Sequence, residues 1–99
     1  MSDSEMRLQA TATLLMETDR VKVWRYDFPV GAETGWHVHG HDYVITTLTD
    51  CVLRLELPGG EVRESFVPAG SAYSRPKGTE HNVINGGDAA MSFVEVELK

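Results

Sequence analysis

The amino-acid sequence predicts an all-β fold, with antiparallel sheets packed into a sandwich or barrel of jelly-roll type. Three observations carry that expectation. Short segments rich in β-branched and aromatic residues recur along the chain, and Gly, Pro, Asn or Asp separates them. Their spacing, about one strand every 8–12 residues, is that of sandwiches and barrels. No stretch sustains the 3.6-residue hydrophobic period of a helix. Two sheets folded against each other also limit the open edges that a single sheet would expose.

The elements follow in order. Glu5–Met16 reads as a short helical or strand-like lead-in, and Val21–Phe28 (VKVWRYDF) as the first clear strand, ended by Pro29 and Gly31. Tyr43–Thr49 and Val52–Leu57 form a pair of strands joined by a tight turn at Asp50–Cys51. Pro58–Gly59–Gly60 is a turn, because glycine reaches positive φ without steric cost. Glu61–Val67 is the next strand, broken by Pro68 and Gly70. Asn85–Gly86–Gly87–Asp88 turns the chain again, and Ala90–Leu98 closes it as a strand.

A chain of 99 residues suits one domain, residues 1–99, with one core. That core is thin, so a homodimer that buries further surface is expected. A net charge of -6 and the lack of a basic stripe argue against a nucleic-acid partner. The beginning of the chain has no positively charged segment followed by an apolar run. Stretches such as Leu14–Leu15–Met16 are too short to cross a bilayer. The single cysteine, Cys51, excludes an intrachain disulfide and suits a reducing compartment. The expectation is a cytoplasmic protein with no membrane partner.

Three of the four histidines lie in Trp36–His37–Val38–His39–Gly40–His41, and the fourth is His81. Side chains alternate faces along a strand, so His37 and His39 share one side, about 7 Å apart. Such a pair converges on one ion when a neighbouring strand adds a third ligand, and His81 is the candidate. Two solvated surface imidazoles are the plainer reading of an isolated His-x-His, so the surrounding residues decide.

Those residues resemble the cupin superfamily. Gly31, His37 and His39 match the opening of its first motif, G-x5-H-x-H-x3-4-E-x6-G, taken here over residues 31–51. Gly70, Pro76, Gly78, His81 and Asn85 match the whole of the second, G-x5-P-x-G-x2-H-x3-N, over residues 70–85. The tract DYVITTLTD is similar to small cupins associated with β-alanine degradation. The resemblance implies a cupin (RmlC-like) jelly-roll β-barrel, or double-stranded β-helix. It also implies one divalent metal bound by His37, His39 and His81. Fe(II) heads the candidates, and Zn, Ni, Mn or Cu would also accept imidazole.

One departure matters. The first motif's glutamate is missing: Tyr43 or Val44 stands in its slot, and strand alternation favours Tyr43. Asp50 or Cys51 replaces the motif's last glycine. Three neutral imidazoles would leave a divalent ion its full +2 charge and several open positions. Tyr43 and His41 are the candidate catalytic residues, as hydrogen-bond partner or proton donor. Asp42 points away from the ligands and suits a surface or supporting role. Arg75 and Lys77 flank Pro76, where they either attract an anionic substrate or form ordinary solvated loop charges. Trp24, Tyr26, Trp36 and Tyr73 read as core or interface residues, and Cys51 as inert. The expected function is a metal-dependent enzyme, oxygenase-like or lyase-like, acting on a small carboxylate-bearing metabolite. The alternative is a non-catalytic module that binds metal or a small ligand.

Overall fold

The computed structural model describes residues 7–99, so the first residues of the Glu5–Met16 lead-in lie outside the described part. Nine strands follow: β1 (Thr11–Glu17), β2 (Val21–Phe28), β3 (His37–Val38), β4 (Asp42–Thr47), β5 (Cys51–Glu56), β6 (Val62–Val67), β7 (Ala72–Arg75), β8 (Glu80–Asn85) and β9 (Met91–Leu98). One 3₁₀ turn, Pro58–Gly60, joins β5 to β6. The strands form a five-stranded sheet, β1-β2-β9-β4-β7, and a four-stranded sheet, β3-β8-β5-β6. The order shuttles between distant parts of the chain, as a jelly roll requires. Among the described residues no helix is long and apolar enough to cross a membrane.

The inward phase of each strand supplies the core. Tyr43 and Ile45 from β4, Cys51 and Leu53 from β5, Val83 from β8, and Met91 and Phe93 from β9 pack with Phe28. Alternation is clean on β4 and over the first five residues of β9, where every second residue is buried. A stack of tilted rings, Tyr26, Phe28 and Phe93 with centroids 5.3–6.4 Å apart, fills one end.

The structure corrects or completes the sequence reading at five strands, each for a local reason. The lead-in becomes β1, paired with β2 through a register shift between Leu14 and Met16. Cys51 does not sit in a turn but opens β5, fully buried, with its thiol 3.4 Å from the Thr49 carbonyl. β3 and β7 are too short to display a period. β8 escapes notice because His81–Asn85 is buried at every position, so it shows no alternation.

Candidate metal centre

Backbone pairing brings the three histidines together. His37 and His81 are direct cross-strand partners on β3 and β8, so their side chains leave the sheet side by side. His39 lies just beyond β3. Its N–H donates to the Thr79 carbonyl at 2.9 Å, and its own carbonyl accepts from the Gly78 N–H at 2.8 Å. The Pro76–Thr79 turn is thereby bonded to the residue that it must face. Gly78 adopts φ +91°, a conformation that side chains disfavour, which explains the glycine. Asp42 closes the same turn by accepting from the Lys77 N–H at 2.7 Å.

The Nε2 atoms of His37 and His39 lie 3.0 Å apart, and those of His39 and His81 3.2 Å apart. The rings meet edge to face, with centroids 4.7–5.2 Å apart. Imidazole nitrogens about 2.0–2.1 Å from one shared ion sit roughly 3.0–3.4 Å from one another. Two of the three pairs have that spacing, and all three donor atoms lie within 4.8 Å of one another, a group that could hold a metal ion. The tautomer of His37 fits as well. Its Nδ1 lies 2.8 Å from the Gly35 carbonyl, an acceptor only, so Nδ1 carries the proton and Nε2 keeps its lone pair. Burial first, and then the neighbouring histidines, push the imidazolium pKa of His39 and His81 down to about 4. Both rings are therefore neutral at pH 7, the form that binds metal.

A hydrogen-bond network supports the pair from behind. Asn82, next to His81, donates to Glu33 at 2.9 Å and to Glu56 at 2.8 Å. Its oxygen accepts from the Gly35 N–H at 3.0 Å, on the residue whose carbonyl holds His37. Arg7 ties the two carboxylates together, 3.0 Å from Glu33 and 3.4 Å from Glu56. Asn85, the last position of the second motif, donates to the Ala89 and Phe28 carbonyls and caps the Gly86–Gly87 turn through its oxygen. It is structural, as expected.

The histidines open into a cavity of about 560 Å³ between the sheets. All three tyrosines of the chain line it, with Glu95, Arg63, Arg75 and aliphatic residues of both sheets. Tyr43 stacks on His39, with centroids 3.8 Å apart and planes at 19°. Burial pushes its phenol pKa above the ordinary tyrosine value, and those of Tyr26 and Tyr73 up to about 12. Tyr26 and Tyr73 thus face the cavity as well as the core. Arg75 also lines it, with its guanidinium 4.8 Å above the Tyr73 ring. Lys77 and His41 are exposed and do not line it. Trp36 lies on the surface, bonded to Glu80, and Trp24 lies under the Lys22 ammonium.

Sequence reasoning missed Glu95. It projects from β9 in the inward phase of Met91 and Phe93, and an acid in that phase was the available signal. Its carboxylate is buried, 3.9 Å from His39 Nδ1. Burial first, and then the neighbouring Glu97, raise its pKa to about 7.

Comparison with known proteins agrees with this fold. The sequence profile of the cupin domain matches residues 24–97. The beta-alanine degradation protein BauB of Pseudomonas aeruginosa is 48% identical over 93 residues, which cover 94% of this chain and 97% of that protein. A cupin domain from Bordetella pertussis Tohama I, known from its crystal structure, superimposes with a TM-score of 0.89 at 46% identity, covering 94% and 96% of the two chains. The polyketide cyclase RemF from Streptomyces resistomycificus shares the fold at a TM-score of 0.73 and 23% identity, over 91% of this chain and 65% of its own.

Proposed function

This chain belongs to the cupin family, and from that premise we propose that it is a metal-dependent enzyme acting on a small carboxylate-bearing metabolite. The observation that carries the reading is the convergence of three Nε2 atoms, within 3.0 and 3.2 Å of their neighbours, at the wall of a cavity large enough for a metabolite. His37, His39 and His81 hold the ion, Fe(II) by preference, with Zn, Ni, Mn or Cu as alternatives. When bound, it supplies Lewis acidity and a docking point for an anionic group.

The chain's own side chains do the rest. Tyr43 covers one face of His39, fixes the ring, and keeps its phenol proton as a hydrogen-bond donor toward the cavity. Arg75, the cross-strand partner of Tyr43 on β7, adds positive charge at the exposed rim, where it attracts a carboxylate. Aliphatic walls from Ile45, Leu53, Leu55 and Val83 exclude water from the reacting group. The BauB relative is named for degradation of β-alanine, a small carboxylate, and that name supports this substrate class. Cytoplasmic location and a homodimer belong to the same reading. The exposed Leu14, Leu15 and Met16 on the edge strand β1 support the dimer, and light scattering tests it.

Elemental analysis of protein purified without chelator tests the metal. The expected result is one ion per chain, a melting temperature raised by added Fe, Ni, Mn or Zn, and sharply lower occupancy in His81→Ala. A metal-free protein whose melting temperature ignores all of these ions would sink the reading. One observation favours a non-catalytic binding module instead: the candidate proton donor His41 is exposed and outside the cavity. Tight binding of a ligand recovered unchanged after long aerobic incubation with iron-loaded protein would select that alternative.

A further inference from the structure

Glu95 takes no part in the metal set, yet it is only 5% exposed and lines the cavity. Among the described residues no N–H group donates to its carboxylate at hydrogen-bond distance, and its side-chain neighbour there is a second acid, Glu97. The nearest ring nitrogen, His39 Nδ1, stands 3.9 Å away. The neighbouring cations are engaged elsewhere. Arg75 lies over Tyr73, Arg63 pairs with Glu61 at 2.8 Å, and Lys22 lies over Trp24. Glu97, the next residue in the same phase of β9, adds a second negative charge. A buried carboxylate whose neighbours are a second acid and a neutral imidazole 3.9 Å away is poorly compensated, and a cation with donor hydrogens is what relieves it.

The walls around Glu95 favour the same kind of group. Tyr26, Tyr43, Tyr73 and Phe93 line the cavity with it, and ring faces attract a cation through their quadrupoles. We propose that Glu95 is an ammonium-binding group and that the ligand of this cavity carries a protonated amine. The amine lies against the Glu95 carboxylate among the tyrosine rings. The inference rests on the reading of this cavity as the substrate site. Joined to the carboxylate expected at the metal and Arg75, it makes the substrate class an aminocarboxylate. An ion pair with donor hydrogens in a desolvated site is worth about tenfold or more in affinity.

The test uses three matched probes on the purified full-length protein: butanoate, butylammonium and 4-aminobutanoate, titrated by calorimetry at mildly alkaline pH. Wild-type protein is expected to bind 4-aminobutanoate about tenfold more tightly than butanoate. Glu95→Gln should abolish that preference and leave butanoate affinity within about twofold. Metal content and melting temperature show whether the variant is folded, and the wild-type ratio is decisive even without it. Butanoate binding with no gain from the amine overturns the ammonium site and leaves the carboxylate reading standing. Glu95-dependent binding of butylammonium, with no gain from the carboxylate, does the reverse. Binding of none of the three overturns both.

Discussion

The buried titratable groups set opposing pH dependences, and their sum is a measurable slope. In metal-free protein, His39 and His81 carry pKa values lowered from 6.5 to about 4, mainly by burial. Between those values the unfolded chain binds protons that the folded chain refuses, so each histidine makes stability rise with pH. Glu95 acts the other way. Its pKa is raised from 4.5 to about 7, so between those values the folded chain keeps a proton that the unfolded chain loses, and stability falls as pH rises. From pH 4.5 to 6.5 the balance is two protons against one. The slope is then at most about +1.4 kcal/mol per pH unit, or about 2.7 kcal/mol across the window. Glu56, held low chiefly by Asn82, contributes stability above its unfolded pKa that is lost below this window. Urea unfolding of chelator-treated protein, followed by tryptophan fluorescence at half-unit pH steps, measures the slope. Glu95→Gln removes the opposing proton and should about double it. A stability that is flat or falling with pH in the wild type, or a slope unchanged in the variant, would refute the assignment of these protons.

Asn82→Leu removes two donors to carboxylates and the acceptor for Gly35 N–H, at a cost of about 3–5 kcal/mol. It should also weaken metal binding, because the Gly35 peptide aims His37, and full metal affinity in a folded variant would contradict that link. His41→Ala should leave metal content and melting temperature unchanged, because His41 is exposed outside the cavity; metal loss measured by elemental analysis would place it in the ligand set. Tyr43→Phe keeps the ring on His39 and should cost less than about 1.5 kcal/mol by urea unfolding, against about 3–5 for Tyr43→Ala. Cys51 is fully buried with its thiol pKa raised, mainly by burial, so a thiol reagent should label native protein only as fast as it unfolds. Rapid labelling without denaturant would show that β5 opens.

Much of the architecture was legible because it rests on local chemistry. Val21–Phe28 was bounded correctly, since its run of β-branched and aromatic residues ends at a proline. The Asn85–Gly87 turn and its side-chain cap were read from residue type alone, and strand alternation turned Asp42 away from the ligands, into a surface or supporting role. β8 was not, because burial on both faces erases the alternation that marks a strand. Cys51 was misread as a turn residue because a glycine slot in a motif says nothing about which way its replacement points.

By itself, the sequence determined an all-β chain, most of its turns, and a His-x-His pair set to face one side of extended backbone. Those follow from backbone sterics and a two-residue period, which act over a few neighbours. Only the tertiary structure decided that His81 stands opposite His37, that Asn82 and Arg7 prop the pair, and that Glu95 enters the same cavity from β9. Each of these depends on strand order and register, and pairing between segments 26 or more residues apart leaves no periodic trace within either segment.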